Sequence, residues 1–157
     1  MREQTIKLYQ YSELSDEAKE KARQWYMNID DGLWAWENTT DDAKNIGLVL
    51  ESLSRDERNQ GSFEKSALDC AERIIKEHGE GCETRKTAEK YIKALRVLPE
   101  EGLEDAYQGI EDMFLQAILE DYRVMLEKEQ EYQQSEEYIA ETMAANEYEF
   151  TEDGKRF

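Results

Sequence analysis

Between Leu103 and Gln134 the chain contains no proline, and Gly109 is its only glycine. Over this stretch Leu103, Ala106, Ile110, Met113, Phe114, Ala117, Ile118, Tyr122, Met125 and Leu126 recur at three- and four-residue spacing. That period predicts one long amphipathic helix with a wide apolar stripe. At about 1.5 Å per residue it would span roughly 48 Å if Gly109 leaves it unbroken. Such a helix must bury its apolar side, so the rest of the chain has to pack against it. Its other side is almost purely acidic. From residue 100 to residue 153, 18 Asp and Glu are opposed only by Arg123 and Lys128, which puts −16 of the chain's −18 in one third of its length.

Helix signals flank the long element on both sides. Ser135 caps a further helix that carries Glu136 and Glu137 in its first turn and ends at Asn146. Upstream, Ser15 caps a helix with Ala18, Ala22, Trp25 and Ile29 on one face, stopped at Gly32. A second runs from Trp34 to Ile46, with Gly47 at the position after its end. A third starts at Ser62 and aligns Phe63, Ala67, Cys70, Ala71, Ile74 and Ile75 as far as His78-Gly79. A fourth starts at Thr84 and ends at Pro99 and Gly102.

Strand signals are shorter. Residues 4–11 hold β-branched and aromatic side chains in imperfect alternation, and Leu48, Leu50 and Leu53 suggest a second strand. The run 54–62 is polar and predicts a loop. At the C-terminus, Asp153-Gly154 predicts a two-residue hairpin turn that pairs Glu152 with Lys155, Thr151 with Arg156 and Phe150 with Phe157. The expected fold class is α+β, mainly α-helical. It has five or six helices and a small antiparallel sheet formed by the N-terminal strand, the strand near 48–53 and the C-terminal hairpin. One domain is expected across 1–157, with strand and helices in 1–99 and the acidic helices and hairpin in 100–157.

Nine Tyr, four Phe and three Trp supply enough aromatic mass for a core, although 37% of the residues are charged. No apolar run approaches the ~20 residues of a membrane span, and the N-terminus lacks a signal-peptide core. The expectation is a cytosolic chain. Acidity on this scale repels nucleic acid and anionic membranes alike, so the expected partner is a basic protein surface.

The segment Tyr11-Ser-Glu-Leu-Ser-Asp-Glu-Ala-Lys-Glu-Lys-Ala-Arg23, followed by Trp25-Tyr26, then Trp34-Ala-Trp36 and Asp41-Asp42-Ala-Lys-Asn-Ile-Gly47, resembles the opening of many small phage and prophage proteins. In these a short strand leads into an aromatic-x-E-L-S-x-E-A-K-x-K-A helix start and then a Trp-rich stretch. Most have no assigned function, and some carry an antitoxin-type label. The resemblance covers about residues 4–47. It implies a phage or prophage origin, a role in the host–phage contest or in phage housekeeping, and the host bacterial cytosol as the site of action. It supplies no catalytic residues.

Within the long helix, Glu104/Asp105 and Glu111/Asp112 are seven residues apart, as are Glu120 and Glu127, so each set returns to one side about every 10 Å. With Asp121 and Glu131 they form a candidate partner-binding face that imitates the phosphates of a nucleic acid. The alternative is the solvated side of an amphipathic helix. That side usually mixes Lys with Glu, because like charges at i,i+4 cost a few tenths of a kcal/mol each. Lys86, Lys90 and Lys93 line up on the fourth helix, either pairing with the acidic helix or bridging to that of a second copy in a homodimer. Trp25, Tyr26, Trp34 and Trp36 read as core, since base stacking needs a basic groove that the chain lacks. Cys70, His78 and Cys82 have no known zinc spacing and lack a fourth ligand. No cofactor, metal site or enzyme activity is expected. The expectation is an anti-CRISPR or antirestriction type of protein that blocks a basic, nucleic-acid-binding host defence effector. Its counterpart is an antitoxin-like or scaffolding protein that uses the apolar helix face.

Overall fold

The computed structural model describes residues 3, 5–29 and 33–157, Leu33 by its backbone alone. Among these the order is α1 (Asp16–Ile29), α2 (Leu33–Asn45), β1 (Leu48–Ser52), β2 (Gln60–Phe63), α3 (Ala67–Glu77), α4 (Glu83–Arg96), α5 (Leu103–Gln133) and α6 (Glu136–Ala145), with a 3₁₀ turn at Tyr11–Glu13. The architecture is mainly helical with a small antiparallel sheet. The expected stop at Gly32 lies outside the described residues. Two compact units form. The terminal unit comprises the described residues up to Trp34 together with Lys128–Phe157, and the central unit is Ala35–Glu127.

In the terminal unit α1 starts as its sequence predicts, with Ser15 Oγ accepting the Ala18 N–H at 3.3 Å and acids in the first turn. Ala18 and Ala22 are buried with Tyr11, Leu14, Ile139, Met143 and Phe150. Ser135 Oγ caps α6 by accepting the Tyr138 N–H at 3.2 Å. The far end of α6 closes with two reversed bonds, Glu147 N–H to Ala144 C=O and Tyr148 N–H to Met143 C=O, both 3.1 Å. This is the Schellman arrangement, which asks for a left-handed residue after the cap. Asn146 is the cap, and Glu147 takes the left-handed position with φ 56°. Glu147→Gly is therefore expected to raise stability by about 1 kcal/mol, read as a shift of the denaturant midpoint.

Two expectations for the chain ends are corrected. The strand over 4–11 shrinks to one bridge: Tyr9 exchanges two 2.8 Å backbone bonds with Phe150, and Tyr11 already belongs to the 3₁₀ turn. Thr5, Ile6 and Lys7 are all exposed, so no buried face enforces a strand. Gln4 lies outside the described residues. The C-terminal hairpin exists but is shifted by one residue from the expected register. Phe150 pairs with Arg156, and Thr151 N–H bonds Lys155 C=O at 2.9 Å. The Gly154 N–H to Thr151 C=O bond (2.9 Å) and a Gly154 φ of +88° make a three-residue loop, a turn followed by a left-handed glycine.

In the central unit Ala43, Ile46, Leu48, Cys70, Ala71, Ile74, Ala88, Ile118, Leu119 and Tyr122 are buried together. Gly47 ends α2 with φ +74°. The expected strand near 48–53 is β1, but its partner is β2 and not the chain ends. Within the run 54–62, residues 54–59 are the expected loop and residues 60–62 are corrected from loop to strand, as the start of β2. Only Gly61 and Phe63 of β2 are shielded from solvent, so no apolar alternation betrays it. A Cβ at Gly61 would lie 2.6 Å from the Val49 carbonyl oxygen and 2.7 Å from Leu119 Cδ2, so glycine is what lets the hairpin and α5 meet. With Ser62 in β2, the α3 cap moves to Ser66, whose Oγ accepts the Asp69 N–H at 3.0 Å. Thr84 likewise is not a cap. It is buried inside α4, and its hydroxyl lies 2.6 Å from His78 Nδ1. Helix α5 runs unbroken through Gly109.

Candidate functional site

The geometry of α5 follows from how its apolar residues are spaced. Ile110, Phe114, Ile118, Tyr122 and Leu126 are each four apart. Four residues turn a helix by about 400°, so the stripe drifts by about 40° per step and by about 160° over its length. A seven-residue spacing drifts by only about 20° the other way. The core stripe therefore winds across the helix while each acidic set stays nearly in line. Glu104 with Glu111 and Asp105 with Asp112 stay together on adjoining sides. Glu120 and Glu127 sit about 150° round from Glu104, and Asp121 is turned about 100° to its other side.

Winding separates the eight carboxylates into different surroundings. Glu104, Asp105 and Asp112 are exposed and have no ion-pair partner among the described residues. Asp112 only accepts an amide N–H of Gln108 at 3.3 Å. Glu111 is half-buried and stands close enough to Tyr91 to help hold that phenol above its ordinary value, behind burial and Tyr107. Glu100 and Glu101, exposed just before the helix, extend the unpaired group. Glu104 and Asp105 also lie in the first turn, where the helix dipole favours them.

The C-terminal part is neutralised from within. Arg123 donates to both oxygens of Glu120 at 2.9 Å and to Glu127 at 2.9 Å. Arg55, in the loop after β1, adds a second cation on Glu127 at 3.2 Å. Asn59 donates to Glu120 at 3.0 Å. These contacts, Arg123 foremost, hold the Glu120 carboxyl below its usual value. The pairings Glu120–Arg123 and Arg123–Glu127 were readable as i+3 and i+4 neighbours, whereas nothing in the sequence placed Arg55 beside them. Glu131 is exposed and belongs to the terminal unit.

Asp121 is turned inward, accepting a hydrogen bond from the Thr87 hydroxyl. Burial raises its carboxyl pKa, against the lowering effect of Thr87, and Glu83 and Glu120 raise it further. A raised carboxyl favours folding while it is protonated, and that contribution is lost as pH rises through the folded value. Asp121→Asn, which keeps an acceptor for Thr87, is expected to be more stable than the parent at pH 7. The gain should disappear towards about pH 3, where both are neutral; urea titrations at the two pH values check this.

The remaining candidates resolve into structure. The α4 bases do not bridge to α5: Lys86 pairs with Glu83 at 3.1 Å, and Arg85 pairs with Glu89. Arg85 also donates to the Ile75 and His78 carbonyls at 3.2 Å, closing the C-terminal end of α3. Lys90 and Lys93 are exposed with no ion pair among the described residues. Trp25 meets Tyr148 and Phe150 edge-on at 5.6 and 6.2 Å, and Trp36 packs on the central core. Trp34, by contrast, is 61% exposed. Cys70 is fully buried, its thiol pushed up to about 12 chiefly by burial, while Cys82 is exposed. Among the described residues no three His, Cys, Asp or Glu side chains converge as metal ligands, and no helix is long and apolar enough to cross a membrane. Compared with protein-family models, with curated proteins and with solved structures, the chain matches none.

Proposed function

We propose that this chain is a non-enzymatic, acidic binding protein of phage or prophage origin that occupies and blocks a basic, nucleic-acid-binding host defence protein. The observation that carries the proposal is the exposed carboxylate group Glu104, Asp105 and Asp112. It lies at one end of α5 and takes part in no ion pair among the described residues, while Arg123 and, from the loop after β1, Arg55 neutralise carboxylates at the other end. These charges have no intrahelical cation at i,i+3 or i,i+4, and what they supply is a field that attracts a cationic groove. Residues 4–47, through their resemblance, support the phage attribution, and the defence target follows from what a polyanionic surface can imitate.

A plating assay tests this. Bacteria carrying a DNA-cleaving defence system and expressing the chain should regain phage sensitivity. Cells expressing the Glu104→Gln, Asp105→Asn, Asp112→Asn variant at equal level should stay resistant. Equal sensitisation by both chains would reject the acidic contact and favour the antitoxin-like or scaffolding reading. That second reading is favoured by the part of α5's apolar stripe that stays exposed, Leu103 at 50% and Met113 at 68%.

A further inference from the structure

Helices α4 and α5 leave a groove between them in the central unit. It is a cavity of about 220 Å³ with Lys90, Tyr91 and Ala94 on one wall and Ile110, Met113 and Ala117 on the other. Its floor is the Tyr91–Phe114 stack, with ring centroids 4.5 Å apart. Met113 and Ala117 are exposed on the α5 rim, and Val97, 79% exposed, continues the α4 rim. The rims differ in charge. Along α4 run Lys86, Lys90 and Lys93; beyond Met113 on α5 lie Asp112 and Glu120.

We infer that the occupant of this groove is a second copy of the chain, related by a twofold axis running along the groove. The two helices are antiparallel, because Thr87 is level with Asp121 through their hydrogen bond and Tyr91 is level with Phe114 through their stack. By the same count Lys86 is level with Glu120 and Lys93 with Asp112. A twofold axis along the groove exchanges the rims and keeps the level. Each α4 then lies over the α5 of the other copy, and Lys93 faces Asp112 while Lys86 faces Glu120, each pair occurring twice as an isologous contact requires. An occupant with bases alone or acids alone would meet like charge on one rim, which is costly. The Met113 of each copy enters the other's groove at the level of Ile92 and Lys93, where a flexible thioether fills an uneven space. Ala94 and Ala117 leave room for close approach. Asp112 belongs both to this contact and to the proposed partner-binding group, and a mass readout on the purified chain registers the dimer whether or not that reading of the acidic face holds.

Sedimentation velocity on the purified chain tests it, with circular dichroism to verify that each variant is folded. The parent is expected to be dimeric at roughly 100 µM in low salt. Met113→Glu, at an exposed position, should give a monomer. Lys93→Glu should weaken the dimer Kd at least about tenfold, and adding Asp112→Lys should restore it. A parent that stays monomeric, whether the groove is empty or serves another protein's helix, overturns the inference. So does a dimer that survives Met113→Glu, or a Lys93→Glu loss that Asp112→Lys fails to repair.

Discussion

Gly154→Ala is expected to destabilise the terminal unit by about 3 kcal/mol or more, since two costs of about 1–3 kcal/mol each coincide. Gly154 has φ +88°, which a side chain resists, and a Cβ there would collide with the carbonyl oxygen of Ala18 and lie 3.0 Å from its Cα. Both neighbouring atoms are backbone in the first turns of α1, so neither can rotate away. The missing side chain of Gly154 is what allows the hairpin turn to sit against the backbone of the helix at Ala18. Gly47→Ala is the matched control. Its φ is +74°, yet the nearest atoms to a Cβ, on Arg73 and Asp69, are side-chain atoms at 3.5 Å. Only the conformational cost of about 1–2 kcal/mol should appear there. Denaturant midpoints measure both, and the near-ultraviolet signal of Trp25, held edge-on by Tyr148 and Phe150, reports the terminal unit directly.

Phe114→Ala should cost the central unit about 3–5 kcal/mol. Its ring is stacked between Tyr91 at 4.5 Å and Phe63 at 5.4 Å, so truncation removes the shared layer that ties β2, α4 and α5 together. Met113, the preceding residue, is 68% exposed, and Met113→Ala should change stability by less than about 0.5 kcal/mol. The contrast between adjacent apolar residues, about 100° apart on α5, tests which side of the helix faces the core at this level. Equal costs would place both side chains in the core.

The parts of this fold that were legible from sequence are those governed by local chemistry. Ser15 and Ser135 start helices because a hydroxyl meets a free N–H. Gly47 ends one because only glycine takes φ +74° without strain. The proline-free run from Leu103 makes a helix because its apolar period never breaks, while its continuity through Gly109 was left open by the sequence and is seen in the structure. What stayed hidden depended on partners distant in sequence. Strand β2 is Gln60-Gly-Ser-Phe63, a polar segment held by pairing with β1 and by the space that Gly61 leaves for Leu119. The strand expected at 4–11 had the right composition but no buried face. The hairpin register turned on whether Gly154 closes a two- or a three-residue loop, and its contact with Ala18 decides that.

The candidate site divides along the same line. Its acids and their seven-residue repeat were visible, and so was Arg123 between Glu120 and Glu127. Arg55, from a loop 72 residues before Glu127, was not. Nor was the inward turn of Asp121, since Thr87 reaches it only once α4 and α5 pack. The effect is to concentrate the unpaired charge at the start of α5.

The claim that this charge does the binding is tested most directly by association rates. The partner is captured on the immobilised chain from a lysate of bacteria carrying DNA-cleaving defence systems, then purified. Its association with the parent and with the Glu104→Gln, Asp105→Asn, Asp112→Asn variant is timed from ~50 to ~500 mM salt. The account predicts that the parent's rate falls at least about tenfold over that range, and that the variant starts slow and changes little. Equal rates for both chains, unaffected by salt, would contradict it.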